Sequence, residues 1–131
     1  MGMTDIHNLD YTVLLCERMT EMKAFYRDVM GFAIEYDSEM WVTFRLGTAL
    51  LTLRPRGIDP TGDHDGAAVA GSAAVQLAFR VPPSAVDACH EELVATGVLI
   101  VREPTDIPRA RHRTLFFRDP EGNLLEIYAE I

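Results

Sequence analysis

The sequence lacks any apolar run long enough to cross a membrane, and it has no excess of positive charge. A membrane-spanning helix needs roughly 20 consecutive, mostly apolar residues, and no such stretch occurs. The formal net charge of −8 argues against partners such as nucleic acid or an anionic membrane surface, because both require a basic patch. The first ten residues are polar and lack the apolar region of a secretory signal, so we expect a cytoplasmic protein.

Cysteine is scarce, and several catalytic motifs are missing. Cys16 and Cys89 are too few for the disulfide framework of a small secreted domain, and we expect both to be reduced and buried. There is no glycine-rich phosphate-binding loop and no G-x-S-x-G pattern around a serine nucleophile. His7, His64 and His90 do not have the spacing of a metal site. The architecture of the chain is therefore the better guide to its function.

The chain consists of two stretches with the same order of predicted elements. Residues 8–56 and residues 72–131 each contain a strand, an amphipathic helix and three further strands, which is the order βαβββ. Residues 57–71 form a predicted linker, and its first ten residues are rich in Gly, Pro and Asp. The 131-residue length fits a single domain over residues 8–131 that is made of these two modules.

Each predicted helix has a candidate N-cap and a glycine at which it ends. Thr20 and Gly31 play these roles for the helix over residues 19–29, and Ser84 and Gly97 for the helix over residues 84–96. The predicted strands cover residues 11–16, 33–36, 41–46, 49–54, 75–81, 99–103, 112–118 and 123–129.

This order of elements predicts an α+β fold. One helix per module covers one face of its sheet, so the other face must be covered or used, and two such sheets can form a cupped, mixed, mostly antiparallel sheet around a central cavity. A ferredoxin-like domain without a cavity is the alternative. Open sheet edges favour a homodimer. Whether the two modules pair within one chain or swap between chains stays open.

Two motifs carry a resemblance to a known family. Residues 25–32 read FYRDVMGF at the end of the first helix, and residues 119–127 read DPEGNLLEI in the final hairpin. At this separation in a chain of this length, they resemble the vicinal-oxygen-chelate superfamily of glyoxalases, bleomycin-resistance proteins and extradiol dioxygenases. The resemblance covers residues 8–131 and implies two βαβββ modules that form a cup around a ligand.

The resemblance also implies metal ligands on the first and last strands of each module. Those positions hold Tyr11, Thr52, Gln76 and Glu126. Zinc, nickel and iron prefer His, Cys, Asp and Glu, so Glu126 is the only matching ligand. We therefore expect no metal and no other cofactor. A weak divalent metal site that is completed by a substrate is the disfavoured alternative.

Alternation along the strands supplies the remaining candidate site residues. Leu125 and Ile127 suit the helix side of the last strand, which directs Glu126 and Tyr128 to the opposite face. The same reasoning on the other strands gives the full set of candidate ligand-binding residues: Tyr11, Trp41, Arg45, Thr52, Gln76, His112, Phe116 and Tyr128. Glu126 is the candidate catalytic residue as a general base. A structural pairing of Glu126 with Arg45, Arg54 or Arg80 is the alternative.

Three functional hypotheses follow. The first is a glyoxalase/bleomycin-resistance-like protein with a degenerate metal site that binds a small apolar or planar molecule in the cup. The second is a metal-dependent lyase, isomerase or dioxygenase-like enzyme that uses Glu126. The third is an interaction scaffold whose cup is filled by its own side chains.

The basic run over residues 109–113 either binds an anionic ligand group or is a solvated loop.

Overall fold

The computed structural model of the protein describes residues 2–67 and 75–131. The chain divides into two units, residues 1–68 and residues 69–131. Each unit contains one four-stranded mixed sheet and one main helix, which confirms the predicted α+β class. The predicted end of the linker and the start of the second module, at residues 71 and 72, lie outside the described residues. No helix within the described ranges is long and apolar enough to span a membrane.

The first unit has a four-stranded sheet with the order β1-β4-β3-β2, in which β1 is parallel to β4 and the other pairs are antiparallel. A short 3₁₀ turn over Gly2–Asp5 precedes the sheet. The elements that follow are β1 (Tyr11–Cys16), α1 (Met19–Ala24) with a π-helical turn (Phe25–Val29), β2 (Ala33–Asp37), β3 (Val42–Leu46) and β4 (Ala49–Pro55).

The helix of the first unit packs on a face of the sheet that the strand alternation makes apolar. Met22 and Tyr26 are fully buried on the helix side, and the Tyr26 and Phe44 ring centroids lie 6.1 Å apart. The buried apolar side chains of the strands are Leu14, Cys16, Val42, Phe44, Leu51 and Leu53. Burial of these side chains removes apolar surface from water and holds the helix against the sheet.

The second unit repeats this topology with the order β5-β8-β7-β6 and a parallel β5–β8 pair. Its elements are β5 (Gln76–Arg80), a 3₁₀ turn (Pro83–Ala85), α2 (Val86–Ala95), β6 (Ile100–Ile107), β7 (His112–Arg118) and β8 (Leu124–Glu130). Burial alternates strictly along most of β8, as the sequence predicted. Its buried core comprises Val86, Leu93, Leu115, Phe117, Leu125, Ile127 and Ala129.

Both predicted N-caps are wrong, whereas the start of the first helix at Met19 and the two glycine ends are confirmed. The N-cap positions are Arg18 for α1 and Ala85 for α2, and neither makes a side-chain capping hydrogen bond. Ser84 lies inside the 3₁₀ turn that precedes α2, so it cannot cap the α-helix. Gly31 and Gly97 have φ values of +72° and +81°, the left-handed conformation that ends a helix and that glycine adopts without strain.

Several smaller predictions also differ from the structure. Trp41 precedes β3, and Leu99 is exposed and precedes β6, which continues to Ile107 across two register irregularities. Cys89 is only half-buried, and burial and then the nearby charge of Glu92 raise the pKa of its thiol. A raised thiol pKa reduces the thiolate fraction, so this cysteine has no sign of nucleophilic activation.

The first ten residues of the predicted linker are an ordered part of the first unit. Ile58 and His64 form an isolated β-bridge, and the Asp65 carboxylate accepts hydrogen bonds from the Arg54 guanidinium and the Gly57 backbone N–H. Composition indicated a loop but could not show that a part-buried ion pair between Arg54 and Asp65 fixes its end.

Candidate ligand-binding faces

Each sheet has a face that its own helix does not cover, and the candidate residues lie on these two faces. We call them the first face and the second face. The first face is formed by Tyr11, Trp41, Thr43, Arg45 and Thr52. The second face is formed by Gln76, His112, Thr114, Phe116, Glu126 and Tyr128. Cross-strand pairs fix the arrangement, because Thr43 lies opposite Thr52 and Phe116 lies opposite Glu126.

The second face presents a carboxylate that a neighbouring strand holds in place. The Thr114 hydroxyl donates a 2.6 Å hydrogen bond to Oε2 of Glu126. Thr114 is buried, whereas Glu126 is half-buried. A hydrogen bond to a charged acceptor is short and strong, so it restricts the rotamer of the carboxylate. Within the described ranges no other side chain bonds to Glu126, which leaves its second oxygen available to accept a hydrogen bond.

Aromatic rings lie on both sides of this carboxylate in the sheet register. Phe116 is directly opposite Glu126 on β7, and Tyr128 is two residues further along β8. The rings of Tyr128 and His112 have centroids 4.5 Å apart and an interplanar angle of 33°. All three aromatic side chains are half-buried. The rings form a surface on which a planar molecule can stack.

The first strand of the second unit contributes less to this face. Gln76 is exposed, with an amide that can donate and accept. Ala78 lies beside Glu126 in the parallel β5–β8 pair, where its small side chain leaves space next to the carboxylate. Arg80 is exposed and pairs with Glu130 at 3.0 Å.

The first face is dominated by a closed pair of hydroxyl groups. The Oγ1 atoms of Thr43 and Thr52 are 3.0 Å apart, and the two residues are only 7% and 1% exposed. Each hydroxyl can serve the other as donor or acceptor, so both polar groups are satisfied although they are buried. Thr52 is therefore a part of the packed sheet, and its hydroxyl has no solvent-exposed surface for a ligand.

The accessible part of the first face is aromatic. The rings of Tyr11 and Trp41 make an edge-to-face contact with centroids 6.3 Å apart and an interplanar angle of 71°. Tyr11 is exposed and Trp41 is half-buried. Arg45 lies at the edge of this face and is bidentate to Glu35, with the shortest N–O distance at 2.8 Å.

The alternative in which an arginine neutralises Glu126 is wrong. The carboxylate partners of the three arginines are Glu35 for Arg45, Asp65 for Arg54 and Glu130 for Arg80. One member of the basic run, Arg113, has a structural role. Arg113 bonds to Asp87 at 2.8 Å and to Asp106 at 2.9 Å, so it links α2 to β6.

The donors at the four implied ligand positions do not fit a tightly bound divalent metal. The hydroxyl of Thr52 is buried in its pair with Thr43, and Gln76 and Tyr11 offer neutral donors. Glu126 supplies the one carboxylate, and such a set does not compensate for the dehydration of the ion. In residues 2–67 and 75–131, no three His, Cys, Asp or Glu side chains are grouped so that they could hold a metal.

Two threonines were assigned no role by the sequence. Thr43 and Thr114 lie on the helix-free faces, and their partners depend on the register between strands. The signal that was available is that both lie on the strand next to an implied ligand position. In the structure, Thr43 hydrogen-bonds to Thr52, and Thr114 hydrogen-bonds to Glu126.

Comparisons with known proteins place this geometry in a family. The model of the Glyoxalase/Bleomycin resistance protein/Dioxygenase superfamily matches residues 8–127. No curated protein sequence matches the chain.

Solved structures match over nearly the whole chain. A glyoxalase/bleomycin resistance protein/dioxygenase from Nocardioides has a TM-score of 0.83 at 21% identity, over 96% of this chain and 85% of that one. A lactoylglutathione lyase from Agrobacterium tumefaciens has a TM-score of 0.76 at 22% identity, over 93% and 92%. The fosfomycin resistance protein FosX from Listeria monocytogenes has a TM-score of 0.75 at 17% identity, over 96% and 95%. The chain belongs to the Glyoxalase/Bleomycin resistance protein/Dioxygenase superfamily.

Proposed function

We propose that this protein binds a small apolar or planar molecule on its second face without a resident metal ion. The Glu126 carboxylate accepts a hydrogen bond from the ligand, and Phe116, His112 and Tyr128 contact its apolar surface. Gln76 offers a further polar contact at the edge. On the first face, Tyr11 and Trp41 provide a second aromatic surface. Arg45 and Thr52 lie on the same face.

The observation that carries the proposal is the 2.6 Å bond between Thr114 and Glu126. It holds a carboxylate in a fixed orientation next to half-buried aromatic rings, with one oxygen free to accept. Binding sites for small molecules combine an apolar surface with a few placed polar groups, and the second face has this composition. Two of the similar structures are named for work on small molecules, a lactoylglutathione lyase and a fosfomycin resistance protein.

Binding of 2-naphthol and naphthalene tests this proposal. Both are planar and apolar, but only 2-naphthol has a hydroxyl that can donate a hydrogen bond to the Glu126 carboxylate. Isothermal titration calorimetry should show saturable binding of 2-naphthol that is at least several-fold tighter than that of naphthalene. Glu126→Gln should remove most of this difference, because an amide is a weaker acceptor than a carboxylate. Phe116→Ala should weaken the binding of both molecules.

The control variant is Tyr36→Ala, which removes an exposed ring from β2 of the first unit. It should leave the affinity for both molecules unchanged. The proposal would be contradicted if neither molecule bound saturably. It would also be contradicted if Tyr36→Ala and Phe116→Ala lowered the affinity equally.

A metal-dependent lyase, isomerase or dioxygenase-like enzyme is the second candidate, because Glu126 keeps the one carboxylate at the implied ligand positions. Elemental mass spectrometry of untagged protein, after dialysis against zinc, nickel, manganese and iron(II) in turn, separates the two. Near-stoichiometric metal that disappears in Glu126→Gln would overturn the metal-free proposal. Negligible metal under each condition would remove the enzyme candidates that need a metal.

We also propose a homodimer in the cytoplasm. Each described sheet has two strands with an unpaired edge within its unit, β1 and β2 in the first and β5 and β6 in the second, and such edges tend to be paired or covered. Sedimentation velocity should give a mass near twice 14.6 kDa. A monomer at micromolar concentration would contradict the dimer. Two free cysteines suit a reducing compartment, which cell fractionation can check.

A further inference from the structure

A groove in the first unit is lined by none of the residues of the two candidate faces. It has a volume of about 430 Å³ and is formed where β1 ends and where the chain leaves β4. Cys16 and Met19 contribute to its wall, and the polar side chains that line it are Glu17, Arg56 and His64. The sequence assigned no function to either of the two basic residues.

Arg56 has a guanidinium group with unused hydrogen-bonding capacity. Its Nη1 donates to the Gly66 carbonyl oxygen at 3.3 Å. Its Nε is buried and has no hydrogen-bond partner, and no carboxylate lies within 4.0 Å of the guanidinium among the residues that the structure describes. Arg54, two residues earlier, instead has a bidentate pair with Asp65. Nη2 of the Arg56 guanidinium also has no hydrogen-bond partner among the described residues and, unlike Nε, is not buried, so its N–H groups are available to an anion in the groove.

His64 adds a second donor whose tautomer is fixed by the backbone. The Gly66 N–H donates to Nδ1 of His64 at 2.9 Å, so Nδ1 must be unprotonated. The proton of the neutral ring is then on Nε2, which becomes a donor. Gly66 thus contacts both side chains, His64 through its N–H and Arg56 through its carbonyl oxygen. Its φ of +83° is the left-handed conformation that makes this double contact easy for glycine.

We propose that this groove is a binding site for an oxyanion, the carboxylate or phosphate group of a small molecule. The Arg56 guanidinium supplies the charge, and its Nη2 together with Nε2–H of His64 supplies directed hydrogen bonds. Glu17 lines the same groove with a negative charge, which weakens the site and limits it to ligands that bind mainly through one oxyanion. The site does not depend on the function proposed for the second face.

Nuclear magnetic resonance of the wild-type protein tests the site directly. Inorganic phosphate and acetate are titrated separately at constant ionic strength, with chloride as the balancing anion, and the Nε–H resonances of the arginines are followed. The Arg56 resonance should shift and saturate at millimolar concentrations with at least one of the two anions. A shift with phosphate alone identifies a phosphate site, and a shift with acetate alone identifies a carboxylate site. No saturable shift of Arg56 with either anion would overturn the proposal.

Three variants make the test specific. His64→Asn keeps an acceptor for the Gly66 N–H but removes the Nε2–H donor, so the dissociation constant should rise several-fold. Glu17→Gln removes the repulsion, so the constant should fall several-fold. Arg102→Gln, as a control, removes an exposed positive charge that does not line the groove and should leave the constant within about twofold, since salt screens exposed charges. Equal effects of His64→Asn and Arg102→Gln would show a general charge effect and overturn the proposal.

Discussion

The two units have the same strand order but differ at equivalent positions of their helix-free faces. Thr52 lies beside Val13 in the parallel β1–β4 pair, as Glu126 lies beside Ala78 in the β5–β8 pair. Each bonds to a threonine of the neighbouring strand, at 3.0 Å in the first unit and 2.6 Å in the second. One pair is neutral, and the other includes a carboxylate.

The difference in burial gives the two pairs different consequences. Thr43 and Thr52 are buried and satisfy each other, so neither hydroxyl is available to a ligand. Glu126 stays half-buried, and only one of its oxygens is occupied by Thr114. The same topology therefore supports a closed polar pair in one unit and an open acceptor in the other. Fold alone does not set the chemistry of a face.

The largest expected effect on stability is a difference between substitutions on the two faces of β7. Phe117 is fully buried on the helix side, whereas its neighbour Phe116 is half-buried on the second face. Phe117→Ala should lower the free energy of unfolding by about 3–5 kcal/mol, because it removes a large buried ring and leaves a cavity. Phe116→Ala should lower it much less. Urea unfolding followed by circular dichroism measures both. Equal losses would mean that the second face is ordinary core.

The neutral pair of the first face gives the next largest effect. Thr52→Val leaves the buried hydroxyl of Thr43 without a partner and should cost about 1–3 kcal/mol. The double variant Thr43→Val with Thr52→Val removes both hydroxyls and should recover most of that loss, because no unsatisfied group remains. The same unfolding assay applies. If the double variant is as unstable as the sum of the single variants, the two hydroxyls do not act as a pair.

The ion pair between Arg54 and Asp65 should make the stability of the protein depend on pH in the acid range. The guanidinium of Arg54 and the backbone N–H of Gly57 hold the pKa of Asp65 at about 2, below its ordinary value. A lowered folded-state pKa means that the stabilisation is complete above about pH 4 and is lost as the pH falls through about 2. Urea midpoints of the wild type should therefore fall steeply over this range.

Arg54→Met should lower the urea midpoint at neutral pH and flatten its fall in acid. Arg113→Met is the matched control, because Arg113 pairs with two exposed carboxylates in the second unit. Its acid dependence should match that of the wild type. A steep acid profile that persists in Arg54→Met would assign the transition to other carboxylates.

The smallest expected effect concerns the helix starts, where the two units agree. Neither Thr20 nor Ser84 makes a capping hydrogen bond, because the N-cap positions are Arg18 and Ala85. Thr20→Ala and Ser84→Ala should each change the free energy of unfolding by less than about 0.5 kcal/mol, whereas a true cap contributes about 1 kcal/mol. A larger loss in one variant would show that the substituted residue is the N-cap of its helix after all.

Much of the fold could be predicted because it follows from local pattern. Alternation along β8 separated Leu125 and Ile127 from Glu126, and Gly31 and Gly97 marked the helix ends. The N-caps and the start of α2 could not be predicted in the same way. They depend on backbone conformation at positions such as the Pro83–Ala85 turn, which shifts the start of α2 to Val86.

The site was less predictable because its contacts join residues that are distant in sequence. Arg45, Arg54 and Arg80 were equal candidates to neutralise Glu126, and only the strand registers and the ordered loop decide their partners. The bond from Thr114 to Glu126 joins neighbouring strands diagonally, since Thr114 lies opposite Tyr128. A sequence defines which residues share a face, but the register sets which of them touch.

The parallel pairing of the first and last strands in each unit has a consequence for synthesis on the ribosome. Within its unit β1 pairs only with β4, and β5 pairs only with β8. The first strand of each sheet therefore has no partner until the last strand has been synthesised. The β2–β3–β4 meander can form from local contacts, whereas β1 must wait through about 40 residues of further translation, because its partner follows late in the chain. A ribosome that stalls before β4 or β8 emerges would therefore present an unpaired apolar strand to chaperones.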